Sequence, residues 1–208
     1  MTEDAPRLYL IAPPNAGDAA FPDQLSAALD AADVACVRLR MRDSSESEIG
    51  RAADRLRPIC HDRDVALLVS DFVGLVERHG LDGVHLESRS AKAVREARKA
   101  LGADRIIGAY GGASKHTGMS LAEAGVDYVS LGPIGDGVGL GDETATPDLF
   151  QWWSEMIETP VVAEGRLTLD SAAALAPYID FLAPSHSVWE HPDGPSAAVR
   201  AYAKALSG

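Results

Sequence analysis

Three arginines at alternate positions of one apolar stretch are the residues of this sequence best suited to bind an anion. The stretch runs from Ala35 to Asp43 and reads ACVRLRMRD. Side chains alternate faces along a strand, so Arg38, Arg40 and Arg42 are expected to share one face. Guanidinium groups present planar, paired N–H donors that suit phosphate. The spacing therefore predicts an anion site on this strand, and the alternative is an edge strand protected by charge against aggregation.

Polar residues follow several other apolar stretches, at the points where we expect strands to end. They are Ser70, Asp71, Glu87, Tyr110, Glu164, Gly165, Ser185 and His186. In a parallel barrel the carboxyl ends of all strands share one mouth, which is where active sites lie. Arginines that face carboxylates there suit a phosphorylated substrate, with a divalent metal held on Asp71. The alternative role for Asp71 is to cap the helix expected to begin at Phe72.

The histidines and tryptophans are weaker candidates. His85 lies inside an expected strand, where a hydrogen-bonded core residue is the commoner role than a catalyst. His116 and His186 have no partner that the sequence makes visible. The tryptophans fall at positions expected outside the barrel, where packing or interface contacts are favoured over stacking on a ligand. They are Trp152, Trp153 and Trp189.

Hydrophobic patterning predicts the elements that must position these side chains. Short apolar stretches predict strands at residues 8–12, 35–43, 65–69, 83–86, 105–109, 127–131, 160–163 and 180–183. Apolar residues at helical spacing predict helices at 21–32, 44–62, 72–79, 91–101, 115–124, 147–158, 169–176 and 197–206. Residues 132–146 are expected to form a long loop. The alternation predicts a single (β/α)8 TIM barrel over residues 1–208, with an open, doubly wound α/β sheet as the alternative.

Charge and composition narrow the classes of partner. A net charge of −12 over 208 residues argues against a general nucleic-acid or anionic-membrane surface. No stretch approaches the roughly 20 apolar residues of a membrane span, and no secretory signal pattern is present, so we expect a soluble cytoplasmic protein. Cys36 and Cys60 lack metal-ligand spacing, and we interpret them as buried free thiols of a reducing compartment.

Several motifs taken together resemble the thiamine phosphate synthase family. They are VRLRMRD, LLVSD, GVHL, AGVDYVSLGPI, PVVAEG and VWEHPDGPSAAVRAY, in the same order across nearly the whole chain. The resemblance implies a (β/α)8 barrel that uses Mg²⁺ to join hydroxymethylpyrimidine pyrophosphate to a thiazole phosphate. It also implies an SN1-like reaction, in which pyrophosphate leaves, a pyrimidine methyl cation forms and the thiazole nitrogen captures that cation. Such a reaction depends on electrostatic stabilisation of the pyrophosphate more than on a general base.

The resemblance assigns substrate contacts to the arginine strand. The family carries Gln-x-Arg-x-Lys there, and the corresponding residues are Arg38, Arg40 and Arg42. Arg40 and Arg42 therefore keep the two pyrophosphate-binding cations, with lysine exchanged for arginine, and are the implied catalytic residues. Arg38 replaces the glutamine that contacts the pyrimidine.

The resemblance also implies a weakened Mg²⁺ site. The family's Asn-Asp after strand three is Ser70-Asp71 here, so Ser70 takes a substrate-binding position and Asp71 keeps one metal carboxylate. The family's second metal carboxylate falls at Ser90, where it is lost. Glu87 is the candidate replacement.

The remaining substrate-binding positions depart further from the family. The serine after strand five becomes Tyr110, and the Thr-x-Thr-Lys after strand six falls within GDGVGL at residues 135–140, which has neither hydroxyl nor cation. The Gly-Gly that binds the thiazole phosphate becomes Gly165-Arg166, so a phosphate donor is expected from the Arg166 side chain. Ser185 matches the family's serine after strand eight.

Three functions fit these residues. The first is a thiamine phosphate synthase-like enzyme whose activity is kept, reduced or lost. The second is a non-catalytic or regulatory barrel that binds phosphate, another anion or a protein partner. The third is an isomerase like the related thiazole tautomerase, which relies on a histidine after strand five, although His116 lies several residues too late. We expect phosphorylated small molecules as partners, and a homo-oligomer is left open.

Overall fold

Eight parallel strands close into a barrel in the computed structural model, which describes residues 5–135 and 143–207. The strands are β1 (Arg7–Ile11), β2 (Val34–Leu39), β3 (Ala66–Ser70), β4 (Gly83–Leu86), β5 (Ile106–Gly112), β6 (Tyr128–Ile134), β7 (Val161–Gly165) and β8 (Phe181–Ala183). Each strand pairs with the next, and β8 pairs with β1 through Phe181 and Arg7. The predicted (β/α)8 barrel is confirmed. The open-sheet alternative is wrong, because closure leaves no sheet edge.

Helices connect the strands and pack around them. They are α1 (Phe21–Leu29), α2 (Glu46–His61), α3 (Val73–His79), α4 (Ala91–Leu101), α5 (Lys115–Glu123), α6 (Pro147–Met156), α7 (Leu169–Leu175), α8 (His186–Trp189) and α9 (Pro195–Leu206). A 3₁₀ turn at Ala176–Tyr178 follows α7. The sequence did not predict α8, because four residues are too few to show helical periodicity. No helix among the described residues is long and apolar enough to cross a membrane.

The alternation of side chains along the strands divides the core into two parts. Outward-facing strand residues, such as Val37 and Leu39, pack with the helices in the larger apolar cluster. Inward-facing residues fill the barrel in a smaller cluster that includes Tyr9, Cys36, Leu68, Tyr128 and Val162. Two residues further along several of these strands the interior becomes polar, with Arg38, Ser70, His85, Ser130 and Glu164 all buried. The upper interior therefore differs from the branched apolar layers usual in such barrels.

Glycines make room for the large side chains inside the barrel. A Cβ atom at Gly108 would lie only 1.9 Å from the ring of Tyr128. Tyr128 in turn packs edge-on against Tyr9, with ring centroids 5.7 Å apart. The interior thus accepts two tyrosines because the neighbouring strand position has no side chain.

The arginine strand is shorter than the predicted stretch 35–43, because β2 ends at Leu39. Arg38 lies within β2 and its side chain is buried inside the barrel. Arg40 and Arg42 follow the strand and lie on the loop at the mouth, so the three guanidinium groups do not share one strand face. The edge-strand alternative is wrong, because β2 is paired on both sides, with β1 and β3.

Candidate functional site

Arg40, Arg42 and Glu87 form a cluster at the mouth of the barrel. Arg40 Nε donates to Glu87 Oε1 at 2.5 Å, and Arg42 Nε donates to Glu87 Oε2 at 3.0 Å. The Glu87 side chain is 17% exposed. Burial disfavours the Glu87 carboxylate, but the hydrogen bonds and charges of the two arginines outweigh burial and lower its pKa. With two cations against one anion, the arginine–glutamate cluster keeps a net positive charge.

Asp71 joins the loop after β3 to the loop that carries Glu87. Its backbone N–H donates to the His85 carbonyl at 2.9 Å, and its Oδ1 accepts the Glu87 backbone N–H at 2.8 Å. The predicted alternative, in which Asp71 caps α3, is wrong, because that helix has no side-chain cap. Asp71 has a φ of 61°, a left-handed conformation that is costly for a residue other than glycine and that concentrates at functional sites.

The two carboxylates of Asp71 and Glu87 are close enough to influence one another. Burial raises the pKa of Asp71, and the charge of Glu87 adds to that rise. Mg²⁺ commonly takes one or two protein carboxylates and completes its ligands with substrate phosphate and water. The pair fits that ligand set, provided that Glu87 releases an arginine. Within residues 5–135 and 143–207 no three His, Cys, Asp or Glu side chains are grouped to hold a metal unaided.

Ser90, where the resemblance implies the loss of a metal carboxylate, has a local structural role. Its hydroxyl accepts the Ala93 backbone N–H at 3.3 Å and caps the N-terminus of α4. Ser90 therefore positions the helix that follows the Glu87 loop. Its side chain adds no carboxylate to the candidate metal site.

An ion pair between Arg38 and Glu164 spans the inside of the barrel. Arg38 Nη1 donates to Glu164 Oε2 at 3.0 Å. The pair joins β2 to β7, which are separated by β1 and β8, so it crosses the interior instead of following the wall. The Arg38 side chain is 1% exposed and that of Glu164 11%. Burial disfavours the Arg38 guanidinium, but the charge of Glu164, together with smaller contributions from Tyr9, Tyr128 and Glu87, outweighs burial and raises the arginine pKa.

A hydrogen-bonded chain lies beside this ion pair. The Tyr9 and Tyr128 hydroxyls are 2.9 Å apart, and the Tyr128 hydroxyl is 2.8 Å from His85 Nδ1. Burial, with the nearby charges of Arg38 and Arg40, lowers the pKa of His85 well below its usual value, so the imidazole is neutral at pH 7. Several buried polar atoms in this interior lack a hydrogen-bond partner among the described residues: Arg38 Nε and Nη2, Ser70 Oγ, His85 Nε2 and Ser130 Oγ.

Gly165, Arg166 and Ser185 lie at the mouth ends of β7 and β8. The Arg166 backbone N–H donates to the Ile134 carbonyl at 2.8 Å, so it is engaged in the wall, whereas the Arg166 side chain is exposed. Gly165 has a φ of 143°, and a Cβ there would lie 2.3 Å from the Ile134 nitrogen. Ser185 Oγ donates to the Ile11 carbonyl at 3.0 Å. Within this group the exposed Arg166 side chain is available to contact a ligand.

Two strands, β5 and β6, extend further toward the mouth than the sequence predicts. β5 extends to Gly112 instead of ending at residue 109, so Tyr110 lies within the strand, half-buried, with Arg89 Cζ 5.2 Å from its ring centroid. β6 extends to Ile134, which removes residues 132–134 from the predicted loop. Residues 136–142, most of the segment that replaces the family's Thr-x-Thr-Lys, lie outside the described residues.

The tryptophans make packing contacts. Trp153 is buried and donates to the Thr159 carbonyl at 2.8 Å, and Lys115 Nζ lies 4.3 Å from the ring centroid of Trp152. Trp189 donates to the Ile11 carbonyl at 2.7 Å. His116 is exposed on α5, and His186 is exposed on α8, where it pairs with Glu190 at 2.7 Å.

The structure brings together Arg40, Arg42, Asp71 and Glu87 from three loops, as their places after the strands indicated. Sequence reasoning missed the pairing of Arg38 with Glu164 and the inward polar residues Tyr9, Tyr128 and Ser130. The sequence did contain a signal for two of them, because alternate residues of a strand share one face and Tyr128 and Ser130 are alternate residues of DYVSL.

The family model and the sequence relatives agree on one family, and a solved structure agrees on the fold. The family model described as thiamine monophosphate synthase matches residues 8–184. The chain is 44% identical over 204 residues to a thiamine-phosphate synthase of Rhodospirillum centenum, covering 97% of this chain and 98% of that relative. It is 38% identical over 212 residues to that of Erythrobacter litoralis, covering 99% and 98%. A solved thiamine phosphate pyrophosphorylase from Pyrococcus furiosus, 20% identical, superposes with a TM-score of 0.85 over 97% of this chain and 95% of that one. The chain belongs to the thiamine monophosphate synthase family.

Proposed function

We propose that this protein is a thiamine phosphate synthase, which joins hydroxymethylpyrimidine pyrophosphate to a thiazole phosphate and releases pyrophosphate. The observation that carries the proposal is the arginine–glutamate cluster beside Asp71, at the mouth of a barrel from this family. Two guanidinium groups with a net positive charge suit a pyrophosphate, which carries several anionic oxygens. No observation favours a non-catalytic anion-binding barrel or a tautomerase over this reaction.

Arg40 and Arg42 are the residues to which we assign catalysis. The bond between the pyrimidine methylene carbon and the pyrophosphate oxygen breaks, and both electrons leave with the pyrophosphate. The thiazole nitrogen then donates its lone pair to the resulting carbocation. The two guanidinium groups stabilise the charge that accumulates on the leaving oxygens, which is electrostatic stabilisation without proton transfer. His85 is buried and its Nδ1 lies 2.8 Å from the Tyr128 hydroxyl, and we assign it no proton transfer, because this reaction needs no general base.

Asp71 and Glu87 are the proposed metal ligands. Mg²⁺ bound there supplies further positive charge against the pyrophosphate. The left-handed backbone of Asp71 and its hydrogen bond from Glu87 hold the two loops that carry these carboxylates together. Glu87 is shared between two functions, because it pairs with Arg40 and Arg42 until a phosphate group replaces it.

The other proposed substrate contacts lie along the mouth and the upper interior. Arg166, exposed beyond β7, is proposed to donate to the phosphate of the thiazole substrate, with Gly165 and Ser185 as neighbouring contacts. Ser70, the last residue of β3, and Tyr110, within β5, are proposed to line the substrate. We propose a cytoplasmic location, because Cys36 and Cys60 are free, buried thiols that suit a reducing compartment.

The deciding experiment is formation of thiamine phosphate from both substrates with Mg²⁺, compared with the Arg40→Ala variant. We expect a loss of about 100-fold or more in kcat/KM, because one cation contacting the leaving group is removed. Arg51→Ala is the matched control, since Arg51 is exposed on α2 and its guanidinium donates to Ser47 Oγ at 2.7 Å, away from the mouth. Folded wild-type protein without turnover, or an Arg40→Ala variant with full turnover, would contradict the proposal.

A further inference from the structure

Glu164 is held in a fixed position inside the barrel, one residue before β7 ends at the mouth. Arg38 reaches across the barrel and fixes one carboxylate oxygen, Oε2, at 3.0 Å. The second oxygen, Oε1, accepts no hydrogen bond from residues 5–135 or 143–207. The Glu164 side chain is 11% exposed whereas that of Arg38 is 1% exposed, so a ligand entering from the mouth meets the carboxylate and not the guanidinium. The ion pair therefore presents one positioned hydrogen-bond acceptor.

The polar groups that a ligand meets change with depth. The exposed rim carries Arg40, Arg42 and Arg166, which suit phosphate groups. Deeper in the barrel lies the Glu164 carboxylate, which is paired with the more deeply buried Arg38 and, when ionised, only accepts hydrogen bonds. A molecule that fits both levels has anionic phosphate at one end and an N–H-bearing group at the other. A carbonyl oxygen in place of that N–H group would face the carboxylate and be repelled.

We propose that Glu164 accepts a hydrogen bond from the exocyclic amino group of the pyrimidine substrate, and that it thereby selects a 4-aminopyrimidine over its 4-oxo counterpart. The inference rests on the proposed function, which identifies the heterocycle as a pyrimidine. It adds Glu164 as the residue that recognises the 4-amino group of that pyrimidine. Arg38 acts as a positioning residue, because it fixes the carboxylate and leaves one oxygen for the substrate.

The same contact favours the bond-breaking step. When pyrophosphate leaves with both electrons of the carbon–oxygen bond, the positive charge on the pyrimidine spreads to its amino nitrogen. The amino N–H then becomes a stronger donor to the fixed carboxylate, in an interior where charges are weakly screened. An interaction that is stronger in the transition state than in the ground state raises kcat. Glu164 therefore contributes to rate as well as to selection.

The first test measures binding to the wild-type protein by isothermal titration calorimetry. The probes are 4-amino-5-hydroxymethyl-2-methylpyrimidine and its 4-oxo counterpart, neither of which carries a phosphate or can react. We expect the amino compound to bind about 10- to 100-fold more tightly, the range for one hydrogen bond to a charged group. Equal binding of the two compounds, or no binding of the amino compound, would overturn the inference.

The second test replaces the carboxylate. Glu164→Gln keeps the size of the side chain and an acceptor for Arg38 but adds an N–H donor, so the preference is expected to fall at least tenfold and to move toward the 4-oxo compound. Because a buried charge without its partner is strongly destabilising, the double variant Arg38→Gln with Glu164→Gln is made in parallel. Glu155→Gln, at an exposed position on α6, is the matched control.

A purely structural ion pair gives a different result. In that case the variants unfold at lower temperature, yet the ratio of amino to oxo binding stays at the wild-type value in whichever variant folds, which would overturn the inference. Should neither variant fold, equal binding of the two compounds to the wild type still overturns the inference. Amino preference without thiamine phosphate formation would support the inference and reject the proposed function. Turnover without amino preference would support the proposed function and overturn the inference.

Discussion

Glu87 is expected to influence the binding of both phosphate and metal at the mouth of the barrel. Its two oxygens are held by Arg40 and Arg42, and its backbone N–H is held by Asp71. An incoming phosphate must therefore compete with a carboxylate that is already part of the protein. The same displacement frees Glu87 to bind a metal with Asp71, so phosphate and metal are expected to assist one another's binding.

Replacing Glu87 by glutamine is expected to strengthen binding of pyrophosphate in the absence of metal. The variant removes the negative charge that competes for Arg40 and Arg42, and the partly exposed ion pairs correspond to about a fivefold change in Kd. Isothermal titration calorimetry with pyrophosphate and no divalent cation measures the effect. Glu46→Gln on α2, which lies 4.0 Å from Arg78, is the matched control. Unchanged or weaker binding to the Glu87 variant would show that Glu87 does not compete.

At the scale of elements, the N-terminal capping box of α2 makes the stability of the protein depend on pH. Ser45 caps the helix, and Glu48 completes a capping box by accepting the Ser45 backbone N–H at 2.8 Å and its hydroxyl at 2.7 Å. The hydrogen bond from the Ser45 side chain, followed by that from its backbone, lowers the pKa of Glu48 below 4.5. Ionised Glu48 therefore favours the folded state, and its contribution is present above pH 4.5 and lost as pH falls through the lowered value.

Glu48→Gln is expected to flatten the acid dependence of stability. Glutamine keeps the capping geometry but does not titrate in this range, so the variant loses less Tm than the wild type as pH falls below 4.5. Thermal unfolding followed by circular dichroism across that range measures the difference. Glu123→Gln, exposed on α5, controls for the loss of one surface charge. Parallel Tm curves for Glu48→Gln and the wild type would contradict the expectation.

The elements themselves were largely predictable, and their ends and partners were not. Short apolar stretches predicted the eight described strands, because barrel strands bury both faces, and helical spacing predicted the longer helices, because each buries one face. The end of β2 was misjudged because Arg40 and Arg42 continue the alternation beyond Leu39, the last residue paired with β3. The positions of Asp71 and Glu87 at strand ends were readable, since parallel strands share one mouth. The contact of Arg38 with Glu164 joins residues 126 positions apart, and no local pattern indicates it.

At the scale of the whole molecule, closure of the barrel depends on how its interior is filled. The Gly108 position must stay empty for Tyr128, which in turn contacts Tyr9 and His85. These three residues come from strands on different parts of the wall. Strain at one of them is therefore shared by the barrel as a unit, because interiors are close-packed.

Gly108→Ala is expected to lower the free energy of unfolding by about 3 kcal/mol, since the added methyl group overlaps the Tyr128 ring. Gly74→Ala on α3 is the matched control, because a Cβ there meets no atom within 4 Å, and it should be neutral or stabilise by about 0.5 kcal/mol. Urea unfolding followed by tryptophan fluorescence measures both. Equal stability of the two variants would show that the interior yields to the extra methyl group.

The ion pair that crosses the barrel also constrains how this interior arose. Arg38 or Glu164 alone would leave a buried charge without its partner, at a cost of about 3–5 kcal/mol, a large part of the stability of an ordinary domain. If one position changes at a time, an ancestor must therefore carry one unpaired buried charge and fold poorly. The alternative is a neutral residue at one of the two positions before both charges are present. Descendants of such a path should inherit both charges or neither, so the two positions are expected to vary together among relatives.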